Sequence, residues 1–406
     1  MTPYGDFHFF LIAFIVLIPI LLLGLFGKRS KIYNFISTVI MIVLIFSDHK
    51  HNLFGNEYLS YQLLSFILYI IWQVVIIKGY ERVRTVTNST ALYISAFVLS
   101  IIPLAIVKIC QSSWLGHGQL HMHSSRLVEL FGFLGISYVM FKSVQLIMEL
   151  RDGSIKNVSI MKLVQFITFF PTISSGPIDR YKRFVKDDDK TPDAKTYRGL
   201  LEKAVHYIML GFLYKYIIAH LIHSYGIVPL QAHHLTTFVD YWKYMYAYSF
   251  YLFFDFAGYS LFAVALSYIY GIQTPMNFNQ PFKAKNIKDF WNRWHMSLSF
   301  WFRDCVYMRI VFYMTKNKMM KKPLNISNFG FLVNFGIMGI WHGLEWFYII
   351  YGFYHAALFI LYSYYEKWRK KRFGKLKHPV FNILSIIITF HFVAFGFLIF
   401  SGVLFK

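Results

Sequence analysis

From Phe7 to Phe26 the chain is almost purely apolar, long enough to cross a bilayer as one helix, and runs of this kind recur to its end. They fall near 7–26, 31–47, 58–78, 91–110, 131–150, 204–223, 241–270, 326–341, 346–365 and 379–402. A chain of 406 residues with 57% hydrophobic and only 15% charged residues cannot cover a soluble surface, so the runs belong in lipid. Lipid offers no partner for a backbone amide, and the runs lack the period-two alternation of barrel strands. The fold class is therefore all-α and polytopic. The first run exceeds a signal-peptide core and is followed by Gly27-Lys28-Arg29 with no small-residue cleavage site, which reads as a retained span.

Basic residues test this map. They gather in alternate loops: Lys28/Arg29/Lys31, Lys78/Arg82/Arg84, Arg151/Lys156, 180–203, 283–293, 316–322 and 367–377, with Lys50, Arg126 and Lys406 as exceptions. Basic loops stay in the cytosol, which places both termini outside and the protein in the plasma membrane. The alternation survives only if two further stretches, about 158–177 and 287–315, enter and leave on the basic face. They are expected to be re-entrant or interfacial. The net charge of +22 then belongs mostly to the cytosolic side, where it attracts anionic lipid and suits an acidic soluble partner. No nucleic-acid recognition fold is present.

Common catalytic motifs are missing: there is no Walker A loop, G-x-S-x-G elbow, dinucleotide fingerprint or HExxH. Cys110 and Cys305 form neither a disulfide framework nor a metal spacing. His117, His121 and His123 cluster in a stretch that reads as a solvated outer loop, and no metal site is expected.

His342 stands apart. The apolar approach from Phe329 to Trp341 is about 20 Å as a helix, short of a hydrocarbon core of roughly 30 Å. An ionisable ring at that depth is costly and usually functional. Gly343 and Glu345 follow it and suggest a helix break beside a watery cavity; a buried histidine bonded to a carbonyl is the plainer alternative. The stretch "NIKDFWNRWHMSLSFWFRDCVY" (Asn286–Tyr307) interleaves Asp289, Asn292, Arg293, His295, Ser297, Ser299, Arg303 and Asp304 with large aromatics. It reads either as an amphipathic surface helix or as the lining of a chamber that presents His295. In "FFPTISSGPIDRYKRF" (Phe169–Phe184) two prolines and a glycine forbid a continuous span. Asp255, within the 241–270 run, needs a partner and fits a packing role or a chamber role equally.

These stretches, with "LGISYVMFKSVQ" (Leu134–Gln145), "FYLFFDFAGYS" (Phe250–Ser260) and "MGIWHG" (Met338–Gly343), resemble the membrane-bound O-acyltransferase family over the central half of the chain, most specifically about 130–345. The chain looks most like the branch that D-alanylates teichoic acids in Gram-positive bacteria. The resemblance implies one membrane domain over residues 1–406. It also implies a ring of about ten or eleven transmembrane helices with re-entrant pieces around a thin centre, an extracellular funnel and a cytosolic passage. His342 takes the family's catalytic position and His295 a second, less constant one. Asp255, Asn292, Ser297 and Ser175 become candidates for lining the chamber.

No bound cofactor is implied. The donor is D-alanine on the phosphopantetheine of an acyl carrier protein at the cytosolic face, and the outer acceptor is a hydroxyl on the way to lipoteichoic acid. A small single-span peptide and a second membrane protein are the implied relay partners. For docking the carrier, "MRIVFYMTKNK" (Met308–Lys318) offers Val311 and Phe312 between Arg309 and Lys316, although insertion of these side chains into the bilayer explains them as well. A polysaccharide O-acetyltransferase of the same fold is the alternative reading. A non-enzymatic transporter would show paired repeats, and none is evident.

Overall fold

The computed structural model describes residues 2–47, 60–112, 132–174, 176–233, 235–373 and 379–405. Among the described residues, every apolar segment named above holds a helix: α1 (Phe7–Leu25), α2 (Lys31–Phe46), α3 (Tyr61–Val86), α4 (Thr90–Cys110), α5 (Ile136–Arg151), then α8 (Ala194–Ala232), α9 (Phe238–Ile269), α13 (Pro323–His342), α14 (Trp346–Phe373) and α15 (Pro379–Phe400). Among the described residues, eight helices are long and apolar enough to cross a membrane; α2 and α5 have 16 residues each. Polar caps start the early ones: the side chains of Asp6, Ser30 and Ser60 accept from the backbone N–H groups of Phe9, Tyr33 and Leu63 at 2.8–3.2 Å.

The two interrupted stretches do not span. The first yields α6 (Ile160–Thr168) and one 3-10 turn, Phe170–Thr172. Nine residues make about 14 Å of helix, half a hydrocarbon core. The second breaks into α10 (Ile287–Trp291), α11 (Met296–Phe302), a π-helical turn over Arg303–Tyr307 and α12 (Met308–Lys316). Between them, α7 (Tyr181–Asp189) follows the Gly-Pro segment.

The described chain divides into two compact units, residues 1–211 with 259–275, and 212–258 with 276–406. In the first, Lys142 of α5 is 1% exposed and donates to Phe166 O at 3.2 Å and Thr172 Oγ1 at 3.0 Å. A lysine of α5 thus satisfies the end of α6 and the turn after it, which is the physical content of the "FKSVQ" and "FFPTISSGP" segments. Gly135 precedes α5 at φ 90°, and a Cβ there would stand 2.1 Å from Ile173 O. Asp179 accepts from Arg183 Nε at 2.6 Å at the head of α7.

In the second unit α13 and α14 form a tight hairpin. A Cβ on Gly352 would lie 2.4 Å from Phe335 O, and one on Gly339 2.5 Å from Tyr348 O. Glycine at these crossing points lets the two backbones touch, as small residues do between membrane helices. Gly352→Ala is expected to destabilise by about 1–3 kcal/mol, seen as a lower thermal midpoint in detergent. Gly336→Ala, whose methyl meets only the Phe353 ring at 3.7 Å, should leave the midpoint unchanged. Equal midpoints for the two variants would show that the crossing is looser than described.

Helix α13 corrects one expectation. It starts at Pro323, six residues before the apolar stretch, and its 20 residues make about 30 Å. The early turns can be polar because protein groups meet them: Ser327 Oγ is 2.7 Å from the Tyr307 hydroxyl, and Asn328 donates to Tyr364 Oη at 3.2 Å. A short approach is therefore no argument for the depth of His342.

Candidate active site

His342 is the last residue of α13, and Gly343 caps the helix with its N–H on Gly339 O at 3.3 Å. A side chain at Gly343 would run into the Tyr348 ring at 2.6 Å, so the "WHG" glycine permits the turn that brings α14 back past the histidine. The half-buried imidazole sits among aromatic rings, with centroids 4.5 Å from Trp341, 4.9 Å from Phe400 and 6.1 Å from both Tyr348 and Tyr351. Rings on several sides limit its rotation.

His295 is 5% exposed and sits between α10 and α11 in the left-handed region, φ 42° and ψ 53°. Such a conformation is strained for an L residue that carries a Cβ and persists where its surroundings impose it. The loop 276–280 does so. Asn277 accepts the Met296 N–H on its carbonyl at 2.8 Å and the Ser297 hydroxyl on Oδ1 at 2.6 Å. Asn279 donates its N–H to Arg293 O at 3.0 Å on the other side of the turn. The Phe256 ring meets the His295 edge at 4.7 Å. Burial first and the nearby His342 second push the pKa of His295 down, so its ring is neutral. Its Nε2 is buried with no hydrogen-bond partner among the described residues.

A cavity of ≈ 340 Å³ runs between α10, α11, α13 and α14. Its aromatic wall includes Trp291, Phe331 and Phe335, and its polar lining includes Asn292, Ser299, Arg303 and Asn334. Ser299 Oγ and Asn334 Oδ1 are buried and have no partner among the described residues. Ser299 lies four residues after His295, bonded to its carbonyl at 2.9 Å, and Met338 of the cavity wall lies four residues before His342. Neither histidine lines the cavity itself; on each helix a lining residue stands about one turn, roughly 5.4 Å along the axis, from one of them.

Not every residue singled out in the sequence joins this site. Asn292 lines the cavity; Ser297 instead braces the His295 turn. Asp255 pairs with Lys215 at 2.5 Å, between α9 and α8, which is the packing role. Ser175 and the three outer-loop histidines lie outside the described residues. On α12, Phe312 is 69% exposed and Lys316 is exposed, whereas Val311 turns toward α13, its Cγ2 3.0 Å from where a Gly330 Cβ would stand; Arg309 is half-buried. Sequence reasoning passed over Asn277 and His355. The run of "MNFNQP" before the histidine segment was a usable turn signal for the first; the second is hidden in an aromatic span. Among the described residues no group of three His, Cys, Asp or Glu side chains is placed to hold a metal.

A buried histidine, a second imidazole at a helix end and a cavity within a helical turn of each suit a transfer site, and the chain belongs to a family built for transfer. The model of MBOAT, the membrane-bound O-acyltransferase family, matches residues 32–402. The protein is thus a multi-pass membrane acyltransferase. It is similar to the teichoic acid D-alanyltransferase of Bacillus subtilis, 51% identical over 99% of this chain and 98% of that one. The teichoic acid D-alanyltransferase of Lacticaseibacillus rhamnosus is 42% identical over 100% of this chain and 98% of its own. A more distant relative, the peptidoglycan O-acetyltransferase of Helicobacter pylori, is 28% identical over 71% of this chain and 56% of its own.

Proposed function

We propose that this protein moves D-alanine from the phosphopantetheine thioester of a carrier protein on the cytosolic side to a hydroxyl on the outer side, for D-alanylation of teichoic acid, lipoteichoic acid included. The observation that carries this reading is the cavity whose lining residues Ser299 and Met338 stand one turn from His295 and His342. Its aromatic walls suit a slender chain. The free acceptor Asn334 Oδ1 calls for an N–H donor, and Ser299 offers a hydroxyl, which together match the amide groups of a pantetheine arm. Lys288 and Arg303, paired with Glu366 at 3.2 Å and Asp304 at 2.8 Å, place N–H donors at the lining for an arm that begins in a phosphate.

The chemistry follows. The acceptor oxygen attacks the thioester carbonyl while His342 takes the hydroxyl proton. The neutral ring of His295 orients the acyl group or donates to the developing oxyanion. The C–S bond then breaks, and the pantetheine sulfur leaves as a thiol with that proton. Both termini face outward in this reading. The immediate acceptor belongs to a small single-span peptide, and a second membrane protein completes the passage to the polymer.

The carrier docks on α12. Phe312 stands exposed beside Lys316, an apolar anchor with a positive rim for an acidic partner. Phe312→Asp is expected to weaken carrier binding at least tenfold in a titration, with insertion unaffected; unchanged affinity would move the docking site elsewhere. Val311→Asp is a poorer probe, because Val311 packs toward α13.

The donor itself is tested with inside-out vesicles given carrier loaded with radiolabelled D-alanine or with acetate. Label from D-alanine should reach an acceptor inside the vesicle, with little from acetate. Preference for acetate would favour the alternative suggested by the Helicobacter relative, a surface-polysaccharide O-acetyltransferase.

A further inference from the structure

The cavity has a feature that the transfer chemistry does not use. His355, on α14, is 0% exposed, an ionisable ring inside a spanning helix. Trp291 donates its indole N–H to His355 Nδ1 at 3.3 Å, and the two rings meet edge to face at 5.2 Å. An Nδ1 that accepts leaves the proton of a neutral ring on Nε2. Nε2 sits where a side chain at Gly396 would stand, 2.8 Å away, so the glycine of α15 makes room for the ring.

From this position His355 touches both halves of the site. The indole that it holds forms the cavity wall with Phe335, 5.3 Å away. On its other side, the Tyr351 ring lies 4.6 Å from His355 and 6.1 Å from His342. Among the described residues Trp291 is otherwise held by ring packing, which permits tilting; a directed bond fixes the plane that the donor arm must slide along.

We infer that His355 is a positioning residue: its unprotonated Nδ1 orients Trp291 as the fixed wall of the donor cavity and so governs donor binding. The inference rests on the donor reading above. A protonated ring would present N–H to N–H and break the bond, so His355 works as a permanent neutral acceptor and not as an acid or base.

The test is steady-state transfer from the loaded carrier. His355→Leu removes the acceptor and leaves the indole N–H buried and unpaired. It is expected to raise KM for the carrier about tenfold with kcat within a factor of three. His355→Asn, whose Oδ1 takes the place of Nδ1, should restore KM to within threefold of the parent. Trp291→Phe removes the donor instead, and adding His355→Leu to it should raise KM no further. If His355→Leu fails to insert, Trp291→Phe alone carries the KM test. A fall in kcat at constant KM, failure of Asn to rescue, or full additivity of the two changes would overturn the inference. Failure of the parent protein to use the D-alanyl carrier would instead overturn the donor reading and leave the Trp291–His355 pair untouched.

Discussion

His342→Ala should insert, fold and bind carrier as the parent does, and transfer acyl groups at least 10²-fold more slowly, with losses up to about 10⁴-fold expected of a missing general base. The separation of these effects follows from where the residue stands. His342 ends α13, so its side chain supports no further helical turn, and the cap of the helix is a backbone bond from Gly343. The rings around it, Trp341, Phe400 and Tyr351, also contact one another or other aromatics, and the α13–α14 crossing is held by glycines a turn and more away. The expected loss of stability is that of a partly buried side chain, about 1–2 kcal/mol. An unchanged rate of ester formation would remove the ring from the chemistry. A protein that no longer binds carrier would show that the ring is structural.

The second large effect separates a ring from a backbone. At φ 42° and ψ 53° His295 holds a conformation that glycine adopts freely and alanine does not. His295→Gly should therefore be the more stable of the two truncations, by roughly 1 kcal/mol. If the imidazole itself acts on the acyl group, both variants lose activity alike, by about 10²–10³ in kcat, the scale of one missing oxyanion donor. Activity that survives in His295→Gly but not in His295→Ala would mean that only the turn matters. The partner-free, buried Nε2 favours the first outcome, since a polar atom left unpaired at this depth costs stability and is kept for something that binds.

Much of this could be read from the chain because lipid leaves few choices. An apolar run of sufficient length must hold a helix, and among the described residues each one does. Two prolines and a glycine at 171–177 forbid a span, and basic residues on both flanks of 287–315 require a return to the same face; both stretches break into short helices. The end of α13 was legible through Gly343. What stayed hidden depends on tertiary pairing. Asp255 called for a partner without naming Lys215, because nothing local links a residue on α8 to one on α9. The approach to His342 looked short, beginning only at Phe329, because the partners of Ser327 and Asn328, which are Tyr307 and Tyr364, are distant in sequence. His355 reads as one more ring in "YIIYGFYH" until the fold sets Trp291 against it. The docking helix shows the same limit: sequence marks Val311 and Phe312 alike, and only packing separates the inward side chain from the exposed one.

The central claim is that a donor arm runs along the cavity to His342, and a disulfide trap tests it most directly. Met338 lines the cavity one turn before His342. In protein with Cys110 and Cys305 replaced, Met338→Cys is to be incubated under mild oxidation with carrier bearing free phosphopantetheine. A disulfide between the arm's thiol and the new cysteine is the expected result, blocked by Phe312→Asp. No adduct, in a Met338→Cys protein that still transfers D-alanine from the loaded carrier, would place the arm elsewhere and contradict the account.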